Sequence, residues 1–284
     1  MINVVPAAEA ALRGSGLTLG FGEHTVVDGV SIALCPGRVT ALVGPNGSGK
    51  STLLRALARL HPVADGDIAV RTDDADVPVR SLSARDFARQ VTLFAQSRTA
   101  PLGLSIREVV AFGRHPYRRR FGGLTAEDHG AIEDALAATG LTDMSKRAAG
   151  ELSGGELQRV WLACCLAQQT GVVLLDEPTN HLDLRYQVET LDLIRDLADE
   201  RGAAVGVVLH DLDHAARVAD DLLLMKDGHI LAAGVPTEVL TAESIRRAYD
   251  IDVDVTFDPR SGRLRIDPVS RRTSRSATVP CPRP

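Results

Sequence analysis

The 284-residue sequence predicts an α/β fold built on a largely parallel sheet. Three observations carry this expectation. Val172-Val173-Leu174-Leu175 is an uninterrupted apolar run closed by two acidic residues, which is how a strand buried on both faces reads. Residues 187–200 have helical spacing and lead into a second apolar run at 205–209, so strand, helix and strand alternate. A third run, Val39-Thr40-Ala41-Leu42-Val43, passes through a glycine-rich loop into Leu53, Leu54, Leu57 and Leu60 at helical spacing.

The other elements follow in chain order. Leu17-Thr18-Leu19 reads as a strand before a turn at residues 20–22, and residues 25–27 and 30–34 as strands ending at Pro36-Gly37. Residues 61–81 are polar and punctuated by Pro, Asp and Gly, with a short strand at Ile68-Ala69-Val70. Val91-Thr92-Leu93-Phe94 is a further strand, followed by a helix-rich stretch from about 105 to 166 and an apolar helix at 157–168. Residues 268–284, rich in Ser, Arg, Thr and Pro, read as a disordered tail.

Composition excludes several function classes. No segment reaches about 18 apolar residues, so no membrane span is expected. The start, MINVVPAAEAALRG, has no basic region before an apolar core, and no signal peptide is expected. A net charge of −5 argues against nucleic acid as a partner. Cys35, Cys164, Cys165 and Cys281 form no C-x-x-C pair, which points to reduced thiols rather than a disulfide framework or zinc site.

Chemistry concentrates in a few segments. Gly44-Pro45-Asn46-Gly47-Ser48-Gly49-Lys50-Ser51 fits G-x-x-x-x-G-K-[ST], a loop whose backbone N–H groups cradle nucleotide phosphates. Its glycines let the chain bend where a Cβ would clash. Lys50 brings a charge to the β- and γ-phosphates, and the Ser51 hydroxyl can ligate Mg²⁺. Asp176-Glu177 follows a buried strand, at the strand end where ligands of open α/β sheets bind. Asp176 suits Mg²⁺, and Glu177 suits orientation and deprotonation of an attacking water. Leu152-Ser153-Gly154-Gly155-Glu156 precedes an apolar helix. On physical grounds alone it reads first as a capped helix start with glycines for close packing, and second as an anion site.

Taken together, GPNGSGKST, LSGGE and VVLLDEPTNHLD stand in an order and spacing that resemble the ATP-binding-cassette (ABC) ATPases, over about residues 12–255. The resemblance implies a P-loop NTPase fold: a RecA-like parallel core, an antiparallel β subdomain and a helical subdomain inserted at about 97–166. It implies ATP and Mg²⁺ as cofactors, with Thr52 completing the phosphate loop. It makes Ser153, Gly154, Gly155 and Glu156 the signature motif, with Glu156 in place of the usual Gln. Gln96 matches the glutamine that senses Mg²⁺ and water, Asn180-His181-Leu182-Asp183 the segment after the acidic pair, and His210 the histidine that contacts the γ-phosphate. Phe21 falls where the family places an aromatic that stacks on adenine.

Such a chain is expected to form a homodimer around ATP, each site closed by the partner's signature. It is expected to drive integral membrane permease subunits, and indirectly to serve an extracytoplasmic substrate-binding protein, from the cytoplasmic face of the membrane. Within the family the chain resembles the ATPases of iron–siderophore, haem and cobalamin importers, on GRHPYRRRFGGLTAED at 113–128 and on the motifs through residue 241. A zinc or manganese importer, a soluble ABC machine of translation or DNA repair, and more distantly a P-loop kinase are the alternatives.

Two further signals are weighed. His210 and His214 are four apart, but His210 ends a strand, so a shared metal is the minority reading. The basic run at 114–120 reads as a solvated or partner-facing loop.

Overall fold

Strands that read as continuous apolar runs lie in the middle of the molecule. The computed structural model describes residues 10–72, 75–95, 101–118, 122–180, 182–259 and 263–269. β3 (Val39–Val43), β6 (Val91–Phe94), β7 (Val172–Asp176) and β8 (Ala204–Val208) are buried at every position. Strands of this kind need cover on both faces. They pair in parallel with one another and with β9 (Asp221–Lys226), and β10 (His229–Gly234) adds an antiparallel edge. The order is β10-β9-β3-β8-β7-β6.

A second, antiparallel sheet covers one face. It contains β1 (Leu12–Phe21), β2 (His24–Leu34), β4 (Asp65–Thr72) and β5 (Ala75–Pro78), in the order β2-β1-β4-β5. Its inward residues Leu12, Leu17, Leu19 and Leu34 share a core with Leu42, Leu174 and Val208 of the parallel sheet, and with Leu53, Leu54 and Leu57 of α1 (Lys50–Leu57). At roughly 1.5–3 kcal/mol for each fully buried aliphatic side chain, this core is what fixes α1 behind the glycine-rich loop.

Helices cover the other face. Between β6 and β7 lie α3 (Ile106–Val110), α4 (Ala126–Ala138) and α5 (Gly154–Ala167). Each begins with a reciprocal capping box, Ser105 with Glu108, Thr125 with Asp128, and Ser153 with Glu156. These boxes satisfy N–H groups that a helix start leaves bare. α6 (Leu184–Asp199) begins three residues before the predicted helix because Asp183 caps it, accepting from Tyr186 N–H at 3.0 Å. α7 (Leu212–Val218), α8 (Pro236–Val239) and α9 (Ala242–Tyr249) follow, and α2 (Ala84–Ala88) precedes β6.

The parallel core, the antiparallel sheet and the helical stretch agree with the expected fold class. Details differ from the sequence reading. The two short strands expected at 25–27 and 30–34 are one strand, β2, whose pairing with β1 shifts register around Asp28-Gly29. Beyond residue 209 the structure adds β9, β10 and α7–α9, for which the sequence pattern sets no bounds. A hairpin of β11 (Val253–Asp258) and β12 (Arg263–Pro268) extends past 255, and Ile266 N–H donates to Asp213 of α7 at 3.1 Å. Of the tail expected at 268–284, residues 270–284 lie outside the described residues. So do the first nine residues, Cys281 and the far end of the basic run, Arg119 and Arg120. Cys35, Cys164 and Cys165 are buried. Among the described residues no helix is long and apolar enough to cross a membrane.

Candidate nucleotide site

The loop 44–49 leaves the carboxyl end of β3 and enters α1. Two glycines are required by geometry. Gly44 has φ +143°, and a Cβ there would stand 2.1 Å from the Met225 carbonyl oxygen of β9. Gly49 has φ +96°, and its Cβ would stand 2.7 Å from Val27 Cγ2 and 3.0 Å from the Val26 carbonyl oxygen. The loop is pinched between β9 and β2, so only bare backbone fits. Gly49 also caps α1 without a side chain, and no side chain takes up the first-turn N–H groups. Bare N–H groups at the positive end of a helix attract phosphate.

Lys50 lies across this loop. Its ammonium is buried and donates to Gly44 O and Pro45 O, each at 2.8 Å, and to Ser48 Oγ at 3.3 Å. Burial lowers its pKa, opposed by the negative charges of Glu177 and Asp176. Asn46 and Gly47 form the outer turn, and Gly47 has φ +81°. Thr52 follows Ser51 in the first turn of α1.

The acidic pair meets the loop where β7 ends. Ser51 Oγ donates to Asp176 Oδ1 at 2.7 Å, and Arg55, one turn further along α1, stands 3.6 Å from Oδ2. Asp176 is 1% exposed, and burial pushes its pKa up against the Ser51 hydrogen bond and the Arg55 charge. Glu177 adopts φ +55°, a left-handed backbone that costs an ordinary residue about 1–3 kcal/mol. Its N–H donates to Val208 O at 3.2 Å, which holds that turn. Its carboxylate is gripped on both oxygens: His210 Nε2 is 2.5 Å from Oε1, and Asn180 Nδ2 donates to Oε2 at 2.5 Å. His214 sits apart in α7, with its backbone N–H on Asp211.

The start of α5 is a separate anion-ready end. The Ser153 hydroxyl accepts from Glu156 N–H at 3.3 Å, and Glu156 Oε2 accepts from Ser153 N–H at 2.8 Å. Hydrogen bonds from Ser153, first its N–H and then its hydroxyl, hold the Glu156 carboxyl below its usual range, and Arg147 at 3.3 Å adds to this. A carboxylate suits the positive end of a helix better than an amide, which is a physical account of Glu where the motif usually has Gln. Gly154 has nothing within 4 Å of a built Cβ, and Ser153 and Gly154 are exposed.

Phe21 ends β1 with 63% of its surface exposed. His61 sits edge-on to it at 4.7 Å between ring centroids and is anchored by a 3.1 Å hydrogen bond from Nε2 to Gly20 O. Gln96 lies outside the described residues, as does His181. Two neighbours of the site escaped sequence reading, Arg55 and His61. Arg55 was accessible, since it stands four residues after Ser51 on α1 and so shares its helix face. His61 carried no local signal.

The residues present fit a nucleoside triphosphate with Mg²⁺. A side-chain-free cradle, a lysine and a helix start suit phosphate, and the Ser51 hydroxyl with the Asp176 carboxylate are hard oxygen donors. Among the described residues no three His, Cys, Asp or Glu side chains form a metal cluster.

Residues 27–180 match the family model of the ABC transporter. The chain belongs to the ABC transporter family. It is 39% identical over 268 residues to the ferric enterobactin transport ATP-binding protein FepC of Escherichia coli (strain K12), covering 94% of this chain and 97% of that one. It is 37% identical over 253 residues to the iron(3+)-hydroxamate import ATP-binding protein FhuC of Bacillus subtilis (strain 168), covering 89% and 93%. A solved metal-chelate type ABC transporter in an inward-facing conformation superposes with a TM-score of 0.79 at 26% identity, covering 93% of this chain and 99% of that chain. The chain is thus an ABC ATPase, and its family couples ATP hydrolysis to transport.

Proposed function

We propose that this ABC ATPase powers a membrane importer of iron–siderophore complexes. The observation that carries this reading is the near full-length similarity to two iron-chelate transport ATPases. The nucleotide-binding domain would span about residues 12–255, with a helical subdomain at about 97–166.

The site suggests how its residues divide the work. The 44–52 loop and Lys50 bind the phosphates, and adenine stacks on the open face of Phe21. Ser51, Asp176 and Gln96 would hold Mg²⁺, which supplies charge neutralisation at the transferred phosphoryl group when bound. Glu177 is the general base. The contacts from His210 and Asn180 keep its carboxylate oriented, and His210 would reach the γ-phosphate as the family resemblance implies. In the arrangement that the family resemblance implies, a second copy would supply Ser153, Gly154, Gly155 and Glu156 to each ATP in a two-fold dimer.

The chain would act on separate permease subunits from the cytoplasmic face of the membrane, and through them on a substrate-binding protein. A groove of about 480 Å³ between α2, β6, Phe112 and α5 is the surface that suits a permease segment. Its rim exposes Leu60 and Phe112, at 68% and 47%, as an unpartnered apolar edge.

Uptake of radioactive ferric siderophore in iron-starved cells tests the cargo, with zinc and manganese uptake followed in parallel. Deletion of the gene is expected to abolish ferric-siderophore uptake alone, in a strain where other such importers have been removed. Intact siderophore uptake with a zinc or manganese defect would overturn the assignment.

A further inference from the structure

Within the basic segment, Arg114 is not the solvated residue its charge suggests, although His115 and Arg118 are exposed. Arg114 is 1% exposed. Its guanidinium donates to Asp128 Oδ1 at 2.7 Å, to Ala167 O at 3.0 Å and to Gln169 Oε1 at 3.1 Å, and it stacks on Tyr117 at 3.9 Å. Tyr117 in turn donates to Gln168 O at 2.9 Å. The Gln168 side chain then reaches β6, accepting from Thr92 Oγ1 at 3.0 Å and donating to Ala88 O and Val91 O. Residues 114–117 are thereby fixed to the end of α5 and, through it, to β6.

A second set of contacts comes from α2. Arg85 of α2 donates through Nε to Pro116 O at 2.7 Å and through its terminal nitrogen to Arg118 O. Arg89 donates to the same Pro116 oxygen at 3.1 Å and lies 5.4 Å from the Tyr117 ring. Two guanidinium groups converge on one carbonyl, and one of them forks onto a second. A planar fork is the geometry arginine provides and lysine does not. Hydrogen bonds from such side chains to a carbonyl at the surface contribute only about 1 kcal/mol of net stability each. Their convergence on one short segment points to positioning.

We propose that Arg85 and Arg89 are positioning residues that staple the 116–118 segment to α2. With the staple closed, α2, β6 and the first part of the helical stretch move as one body, and a push on the groove reaches β6. The staple stands apart from the phosphate loop, so nucleotide binding and basal hydrolysis do not depend on it. The consequence for transport rests on the importer reading above, but the rigid-body claim does not.

The test is made on the full-length chain carrying Glu177→Gln, with Cys281→Ser to leave only buried native thiols. Spin labels at Ala84→Cys on α2 and His115→Cys beside the stapled segment report their separation by pulsed electron resonance. A label pair at His129→Cys on α4 and Ala84→Cys reports motion of the helical stretch. The expected result is a narrow 84–115 distribution that ATP and Mg²⁺ leave unchanged. Arg85→Ala with Arg89→Ala should broaden it, and Arg85→Lys with Arg89→Lys should broaden it equally. An 84–115 distance that already moves with nucleotide, an unchanged distribution in the alanine pair, or rescue by lysine would each overturn the staple. On the Glu177 background, the alanine pair should keep ATP hydrolysis by the isolated chain within about twofold. It should lower uptake of ferric siderophore in cells about tenfold, a loss of the size expected when coupling between sites is weakened. Undiminished uptake alongside a broadened distance would overturn the coupling claim.

Discussion

Glu177→Gln is expected to lower steady-state ATP hydrolysis by about 10²–10⁴-fold while leaving nucleotide affinity close to that of the native chain. The loss corresponds to roughly 3–5 kcal/mol of barrier. The change is nearly isosteric, so the left-handed turn at φ +55° and the hydrogen bond from Asn180 can persist. What disappears is the basic oxygen that faces His210 at 2.5 Å. Lys50→Ala should give the opposite pattern, because it removes the charge that crosses the loop and donates to Gly44 O and Pro45 O. Equilibrium binding of a fluorescent ATP analogue, measured beside turnover, separates the two. A Glu177→Gln chain that retains more than about a tenth of the native rate would mean that another group is the principal base.

Arg114→Ala carries the largest expected effect on stability. It leaves Asp128, 2% exposed, without its 2.7 Å partner inside the helical stretch. Removing one member of a buried pair costs about 3–5 kcal/mol. In a chain of this size that is a fall in Tm of roughly 10 °C. Arg114→Met combined with Asp128→Asn should recover most of the loss, since Asn can still cap α4 through Thr125. The pH dependence has a definite sign. Burial raises the Asp128 pKa, but hydrogen bonds from Thr125 and Arg114 outweigh it and hold the carboxyl below its usual value. A carboxylate with a depressed folded pKa stabilises the fold above its unfolded pKa, and that contribution is lost as pH falls through the folded value. The native chain's advantage over Arg114→Ala should therefore be full at pH 7 and shrink below about pH 4. Thermal melts of both chains between pH 3 and pH 7 check this.

What was legible in the sequence was whatever a local rule forces. The five buried residues of β3 and of β7 announce strands covered on both faces, and the loop between β3 and α1 needs glycines that no packing argument could relocate. Ser153 with Glu156 spells a capping box, and the structure contains it. What was not legible depends on contacts distant along the chain. Arg114 sits in a basic run, and only the fold brings it to the carbonyl of Ala167 and the carboxylate of Asp128. His61 meets Phe21 because β1 and the segment after α1 converge, a pairing 40 residues apart that periodicity cannot see. The C-terminal hairpin was missed for a different reason. Val253, Val255 and Phe257 alternate with polar residues as a half-buried strand should, but the partner strand at Arg263–Pro268 offers only Leu264 and Ile266 to the same pattern.

Sedimentation of the Glu177→Gln chain with and without ATP and Mg²⁺ tests the central claim most directly. That claim is a two-fold dimer in which each ATP is held by the loop of one chain and the start of α5 of the other. The chain should sediment as a monomer alone and as a dimer with nucleotide. Adding Ser153→Arg places a long side chain on the exposed helix start, and should return the protein to monomer while each chain still binds one ATP. A dimer that forms without ATP, or one that Ser153→Arg leaves intact, would contradict the account.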